Sequence, residues 1–287
     1  MKKLLLGNEA VARGLYEAGC RVASSYPGTP STEVTECIAK YNEITSEWAP
    51  NEKVACEVAF GAAVAGARSF CAMKHVGLNV AADPLFTSSY TGVNAGMVIV
   101  VADDPGMHSS QNEQDSRHYA KASKIMMLEP SDSTDCLVFT REAFALSEKF
   151  DTPVFLRPTT RICHSYSVVD VNGNERKEVD CGKFERNLSK HVMIPAYARA
   201  RHFDVEDRMA KLKEFAETTS VNTTEINDTE IGFITSGISY NYVKEMAPNA
   251  SVLKLGMIYP LPENKIKDFD SHLTVFGTEK EEKKLHT

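Results

Sequence analysis

Short apolar segments alternate with helical segments along the first 160 residues, and this alternation limits the possible fold more than any other feature. The clearest strand is the continuous apolar run at residues 96–101, and others are predicted at 21–25, 68–74 and 153–157. The predicted helices lie between them, at 9–18, from Ser31 onward, at 79–88 and at 135–148. Such alternation is typical of an α/β fold in which helices cover both faces of a parallel sheet.

Composition excludes several classes of protein. Of the 287 residues, 43% are hydrophobic and 25% are charged, and the formal net charge is −7. The apolar runs are far too short to span a bilayer, and the start of the chain is not a secretory signal because its apolar character ends at Leu6. The negative charge, with no basic stripe, argues against nucleic-acid binding. We therefore expect a cytoplasmic protein with neither a nucleic-acid nor a membrane partner.

The seven cysteines are widely scattered and form no C-x-x-C pair. Iron–sulfur clusters and structural zinc sites need closely spaced thiolate ligands. The sequence therefore predicts neither kind of site on this chain, and the histidines show no metal-ligand spacing either.

Residues 51–68 form a predicted helix with a carboxylate, Glu52, at its start and mostly small residues after it. The helix dipole favours an ionised carboxylate there. A carboxyl group that has to keep its proton beside a heterocycle needs an apolar, closely packed wall instead, and alanines supply one. The alternative interpretation is an alanine-rich packing helix capped by Asn51 and Glu52.

Three blocks of sequence together carry a resemblance to a known family. Residues 52–61 (EKVACEVAFG) are similar to the glutamate helix in the pyrimidine-binding domain of thiamine diphosphate enzymes. Residues 25–32 (SYPGTPST) resemble the substrate loop of 2-oxoacid:ferredoxin oxidoreductases. Residues 73–80 (MKHVGLNV) resemble the alpha subunit of the indolepyruvate branch of that superfamily. The resemblance implies a parallel-sheet thiamine diphosphate-binding fold.

The resemblance also implies a catalytic glutamate. In the family this residue bonds the pyrimidine ring nitrogen of thiamine diphosphate and favours the tautomer that removes the thiazolium proton. The matching residue here is Glu52, as the catalytic and cofactor-binding group. Glu57, about a turn and a half further along the helix, is an alternative.

The proline-rich loop after the strand at 21–25 lies where open α/β sheets place their ligand crevices. The resemblance makes Pro27, Gly28 and Thr29 cofactor contacts, with Thr29 also a substrate contact. Related pyruvate enzymes have a bulkier residue at the position of Gly28, so glycine is predicted to leave room for an aromatic substrate. The alternative is a turn that only caps the next helix.

The segment after the strand at 68–74 is predicted to be a loop at the same edge. Its expected cofactor contacts are Val76 and Gly77, and its expected substrate contacts are Lys74, His75 and Asn79. Lys74 and His75 can neutralise a 2-oxoacid carboxylate or steer protons. The alternative is a solvent-facing loop with a helix N-cap.

A further polar loop follows the strand at 96–101. Within it, Arg117 can bind a substrate carboxylate through two parallel hydrogen bonds. The alternative is that Arg117 pairs only with Asp115 or Glu113 on the surface.

The domain organisation is expected to be incomplete. A pyrimidine-binding domain is predicted at 1–180, a connector at 181–228, and at 229–287 a smaller α/β domain that resembles the transketolase C-terminal domain. The chain ends in a charged tail where that domain should continue. The resemblance covers nearly all of this chain but only about the first half of the family protein.

The cofactor site is also expected to be shared. No Gly-Asp-Gly sequence, which holds the diphosphate through a metal in this family, occurs in the chain. The resemblance therefore implies that a partner chain or domain binds the diphosphate with Mg²⁺ and carries the iron–sulfur clusters. No metal ligand is predicted on this chain, which is expected to work within an oligomer.

Two functions are consistent with these observations. The first is the pyrimidine-side part of an indolepyruvate ferredoxin oxidoreductase, inactive alone, that converts an aryl-pyruvate and coenzyme A to an acyl-CoA and reduces ferredoxin. The second is a truncated remnant that folds and associates but has no turnover. A different thiamine-dependent transferase or synthase is a third possibility, against which the sequence at 74–77 argues.

Overall fold

A computed structural model describes residues 1–273 of the chain except 172–174, 182–183 and 185. Its strands are β1 (Lys2–Leu6), β2 (Val22–Ser25), β3 (Thr45–Trp48), β4 (Ser69–Lys74), β5 (Met97–Ala102), β6 (Met127–Leu128), β7 (Val154–Leu156), β8 (Tyr166–Asp170), β9 (Thr223–Glu225), β10 (Asp228–Thr235), β11 (Ala250–Lys254) and β12 (Met257–Tyr259). Its helices are α1 (Gly7–Glu17), α2 (Thr32–Ile38), α3 (Glu52–Val64), α4 (His75–Val80), α5 (Ala82–Thr91), α6 (Arg117–Ser123), α7 (Ser133–Phe150), α8 (Thr160–Cys163), α9 (Leu188–His191), α10 (Pro195–Thr218), α11 (Gly237–Met246) and α12 (Glu263–Ser271).

A seven-stranded sheet organises the chain, in the order β12-β6-β7-β5-β4-β2-β3. Every neighbouring pair is parallel except β12 and β6, which are antiparallel. The expected α/β fold with a mainly parallel sheet is therefore confirmed. Because β2 to β7 run in the same direction, the segments that follow them emerge at one edge, which we call the carboxyl edge.

Alternate residues of the central strands face two separate cores. In β4, Phe70 packs with α1 and α7, whereas Cys71 packs with the helices on the opposite face. On that opposite face, α3 presents Ala59 and Ala63 to the sheet, one helical turn apart. Small side chains at this spacing let α3 lie close against the strands. The alternation along each strand explains why the central strands are apolar throughout.

The elements expected from sequence are present, with three differences. The segment between the strand at 68–74 and the helix at 79–88 was predicted to form a loop, but helix α4 begins at His75, directly after β4. The helix predicted at 79–88 is divided at Ala81 into α4 and α5. The connector predicted at 181–228 contains helix α10, which begins at Pro195.

The second region does not stay apart from the large sheet. Strands β10, β11 and β9 form a small sheet of their own, and β1 pairs with β8 in another. Strand β12, however, joins the large sheet through β6, although the sequence placed it in the second domain. The predicted charged tail at 279–284 lies outside the described residues.

Candidate active site

The carboxyl edge brings together the four segments that the sequence singled out. They follow β2, β3, β4 and β5, which are neighbours in the sheet. Residues 26–31 connect β2 to α2, and Asn51 precedes α3 after β3. Lys74 is the last residue of β4, and a long loop leads from β5 to α6. These four segments are distant in sequence but are therefore adjacent in space.

Glu52 is the first residue of α3. The Asn51 side chain caps this helix by accepting a hydrogen bond from Val54 N over 3.0 Å. The Glu52 side chain is half-buried and lies against Gly77: a Cβ built on Gly77 would be 2.6 Å from Glu52 Cγ and 2.7 Å from Cδ. None of the described residues donates a hydrogen bond to the Glu52 carboxylate. The carboxylate thus has a fixed neighbour on one side and unused hydrogen-bonding capacity.

Glu57 lies in a different environment on the same helix. Its side chain is exposed, and its carboxylate is 3.9 Å from the ammonium group of Lys53, four residues earlier. Such exposed ion pairs are solvated and contribute little to the stability of the fold. The geometry therefore favours Glu52 over Glu57 as a group that faces a ligand.

The loop after β2 is organised by its own short hydrogen bonds. Gly28 N donates to Thr32 Oγ1 over 2.9 Å, and Ser31 Oγ donates to Gly28 O over 3.0 Å. Pro27 and Thr29 are exposed. The space beside Gly28 is not open, because the Lys74 side chain fills it: a Cβ on Gly28 would be 3.2 Å from Lys74 Cδ. Glycine here lets Lys74 cross the loop.

Lys74 and His75 bind the loop that follows β5. Lys74 Nζ donates to Ser109 O over 2.6 Å, and His75 Nε2 is 3.0 Å from Asn112 O. A carbonyl oxygen only accepts, so His75 Nε2 must carry the proton in this contact. The His75 side chain is 1% exposed, so the alternative of a solvent-facing segment is wrong for this residue. In this structure both side chains hold loop backbone.

The three remaining predicted contacts of this segment, Val76, Gly77 and Asn79, lie in different environments. Val76 is half-buried in the first turn of α4, and Gly77 is buried against Glu52. Asn79 is exposed, and its Oδ1 accepts a hydrogen bond from Tyr119 OH over 2.5 Å. Gly77 therefore lies on the Glu52 side of α4, while Asn79 connects α4 with α6.

The loop after β5 is fixed at its base by Asp104, which is buried. Its Oδ2 accepts from Ser109 N and from Ser110 Oγ, each over 2.8 Å, and its Oδ1 accepts from Thr160 Oγ1 over 2.7 Å. Burial alone raises the pKa of the Asp104 carboxyl group. The hydrogen bonds outweigh burial and lower this pKa to about 2.

Arg117 begins α6 at the end of this loop. Its Nε and Nη2 donate to the carboxylate of Asp115 over 2.7–2.9 Å, the surface pair that the sequence left open as an alternative. This hydrogen-bonded pair raises the pKa of Arg117. Arg117 Nη1 makes no hydrogen bond to any described residue. The exposed guanidinium keeps donors for a second carboxylate.

Sequence reasoning assigned no role to three charged residues at this edge. Asp103, Glu129 and Arg157 are each the first residue after a buried strand, namely β5, β6 and β7. All three are buried and joined by ion pairs. Ser236 Oγ, just before α11, also lies 3.4 Å from Glu129 Oε2, which connects the second region to this cluster. The signal available in sequence was a charged residue directly after an apolar run.

The structure adds two observations on possible ligands and location. In the described part of the chain, no helix is long and apolar enough to cross a membrane. Among the same residues, no group of three or more His, Cys, Asp or Glu side chains is placed to hold a metal ion.

A family model of the thiamine diphosphate-binding part of pyruvate flavodoxin/ferredoxin oxidoreductases matches residues 13–226. The chain belongs to this family. Indolepyruvate oxidoreductase subunit IorA from Methanothermobacter thermautotrophicus is 46% identical over 281 residues, and the match covers 95% of this chain. The subunit of the same name from Archaeoglobus fulgidus is 42% identical over 283 residues and covers the same share. The expected resemblance to the indolepyruvate branch is confirmed.

Two proteins with other names are less similar to this chain. Ketoisovalerate oxidoreductase subunit VorB from Methanothermobacter thermautotrophicus is 22% identical, over 93% of this chain and 82% of that protein. Among solved structures, a 2-oxoglutarate:ferredoxin oxidoreductase from Magnetococcus marinus superposes with a TM-score of 0.75 at 18% identity, over 95% of this chain and 57% of that one. This structural match supports the fold.

The chain spans 45% of the length of the two IorA relatives. More than half of those proteins therefore has no counterpart in these 287 residues.

Proposed function

We propose that this chain is the pyrimidine-side part of a thiamine diphosphate-dependent 2-oxoacid:ferredoxin oxidoreductase that takes indolepyruvate or a related aryl-pyruvate. The observation that carries the proposal is the Glu52 carboxylate, half-buried at a helix start, packed against Gly77 and without a hydrogen-bond donor in the described chain. The names of the relatives at 42–46% identity support the substrate class.

The residues at the first turn of α3 fit one edge of a flat heterocycle. Thiamine diphosphate, when bound, supplies the electron sink that decarboxylation of a 2-oxoacid needs. Glu52 would hold the proton shared with the pyrimidine ring nitrogen. Gly77 and Val76 would line the approach, since the absence of a side chain at Gly77 is what lets Glu52 occupy its position. Pro27, Gly28 and Thr29 would border the same crevice.

The substrate would enter from the open side of the edge. A 2-oxoacid has a carboxylate and a keto oxygen, which need cationic and neutral donors respectively. Arg117 keeps free donors for the carboxylate, and the exposed Thr29 hydroxyl can donate to the keto group. Lys74 would contribute positive charge close to its bond with Ser109 O. His75 and Asn79 complete the expected substrate contacts through the loop and helix that they hold.

The remaining parts of the reaction need groups from elsewhere. Coenzyme A would accept the acyl group, and ferredoxin would accept the electrons. The diphosphate with its Mg²⁺, and the iron–sulfur clusters, would be held by a partner chain or by a region that this chain does not include. The chain alone would then have no turnover, and the working form would be an oligomer in the cytoplasm.

The test is turnover of the enzyme assembled with its natural partner chains, with indolepyruvate, coenzyme A and ferredoxin. Glu52→Gln should lower kcat by roughly 100- to 10,000-fold, because a positioned acid–base group is lost. Thermal stability should stay near that of the wild type, since Glu52 is a half-buried helix end. Glu57→Gln, on the exposed face of the same helix, is the matched control and should keep its activity.

Either of two results would contradict the proposal. One is wild-type turnover in the Glu52→Gln enzyme, which would remove Glu52 from the mechanism. The other is native protein, captured from its source cells, that carries neither thiamine diphosphate nor iron. That second result would instead favour a remnant that folds but turns nothing over.

A further inference from the structure

A buried ion cluster closes the carboxyl edge beside Arg117. Asp103, Glu129 and Arg157 follow three strands that are neighbours in the sheet, and their exposed fractions are 1%, 6% and 6%. Arg157 Nε donates to Asp103 Oδ2 over 2.7 Å, and its Nη1 is 3.0 Å from Glu129 Oε1. One guanidinium therefore joins the ends of β5, β6 and β7.

The same guanidinium contacts both supports of Arg117. Asp103 accepts a hydrogen bond from Ser116 N over 3.1 Å and a second one from the Ser116 hydroxyl group. Asp115 binds the Arg117 guanidinium and lies 3.7 Å from Arg157 Nη2. Residues 115 and 116 immediately precede Arg117. The Asp103 carboxylate, which holds Ser116, and the Asp115 carboxylate, which holds Arg117, are thus both in contact with Arg157.

The charges in this cluster explain why its cation matters. Three carboxylates, of Asp103, Asp115 and Glu129, surround Arg157. Burial raises the pKa of Glu129, and the charge of Arg157 opposes this rise. Burial also raises the pKa of Asp115, but its hydrogen bonds with Arg117 and the charge of Arg157 lower it to about 2. Without the Arg157 fork, the buried carboxylates would lack their nearest cation and would draw Arg117 inward.

We propose that Arg157 is a positioning residue for Arg117. By satisfying the buried carboxylates at the ends of three strands, it leaves the outer donors of Arg117 directed to the open side of the edge, where a 2-oxoacid carboxylate can bind. The proposal rests on the function proposed above for its substrate. The position of Arg117 in the unliganded chain can also be tested without any turnover.

The first test observes Arg117 directly in the full 287-residue chain. In an NMR spectrum of ¹⁵N-arginine-labelled protein, the Arg117 Nε–H signal, assigned by its loss in Arg117→Lys, should be shifted and slow to exchange because it donates to Asp115. In Arg157→Lys this signal should move, since a lysine ammonium is a point charge that cannot bridge three carboxylates, and Arg117 would leave its place beside Asp115. Arg161→Lys is the matched control. Arg161 is exposed, lies over the Tyr242 ring and should leave the signal unchanged.

The second test is a split of kinetic constants in the assembled enzyme. Arg157→Lys should raise KM for indolepyruvate roughly 10- to 100-fold, the effect of a misplaced contact, with kcat and the KM for coenzyme A changed far less. In an Arg117→Lys background, the same substitution should have little further effect, because it acts through Arg117. A merely structural role would lower stability and kcat and would raise both KM values, in both backgrounds.

The outcomes separate this proposal from the proposed function. An unchanged Arg117 signal in Arg157→Lys, or an equal effect in both backgrounds, would overturn the positioning role even if the enzyme is active. Absence of 2-oxoacid turnover in the wild type would overturn the proposed function, while the spectrum would still decide the role of Arg157.

Discussion

Replacing Gly77 by alanine would test the position of Glu52 without changing Glu52 itself. The new Cβ would be 2.6 Å from Glu52 Cγ, whereas ordinary contacts begin at 3.4 Å. The Glu52 side chain would therefore have to retreat by at least 0.8 Å, the difference between these two distances. A misplacement of about 1 Å can cost about 100-fold in rate. We expect a loss of that size in kcat of the assembled enzyme with indolepyruvate.

Stability should change much less than activity. Alanine is favoured over glycine in a helix by about 1 kcal/mol, so α4 itself gains from the substitution. Overpacking costs about 1 to 3 kcal/mol, and the lower end applies because the Glu52 side chain can rotate at a helix start. In urea unfolding of the chain the lower cost and the helix gain should nearly cancel, and even the upper cost would leave a loss of only about 2 kcal/mol.

Two controls isolate the contact. Gly61→Ala lies in α3 with Glu52, and its Cβ would meet nothing within 4 Å, so it should keep full activity. In a Glu52→Ala background, Gly77→Ala should be stabilising, because the clashing side chain is gone. Wild-type kcat in the Gly77→Ala enzyme would refute the reasoning, since it would show that the Glu52 carboxylate need not occupy this position.

Two further predictions concern stability. The lowered pKa of Asp104 means that its ionised form stabilises the fold above its unfolded pKa, and this contribution is lost as the pH falls from about 4 to about 2. Asp104→Asn should therefore reduce the acid-induced loss of unfolding free energy by about 2 kcal/mol, measured by urea unfolding across that range, and an unchanged pH dependence would contradict it. Arg68 donates to both Glu148 oxygens, over 2.7 and 2.6 Å, and to Ala18 O. Arg68→Met should cost about 3 kcal/mol in urea unfolding because it leaves these acceptors unpaired, and a cost below about 1 kcal/mol would show that solvent replaces the pair.

Local sequence patterns determined the fold class and the place of the glutamate. The apolar run at 96–101 indicated a buried strand, and the Asn51 cap and the small residues that follow it indicated the start and the packed face of α3. These features depend on neighbours within a few residues, so they can be read along the chain. The family resemblance likewise rests on short contiguous blocks, and relatives confirm it.

Contacts between distant segments were decided only by the tertiary structure. The side chain of Glu52 meets Gly77, and Lys74 crosses Gly28 to bind Ser109 O, although nothing in these segments alone requires it. The ion cluster around Arg157 was missed for the same reason. Strand order in the sheet differs from chain order, so the ends of β5, β6 and β7 become neighbours only after folding. The ion-pair partner of a charged residue that follows a strand is therefore decided by which strands lie beside it in the sheet.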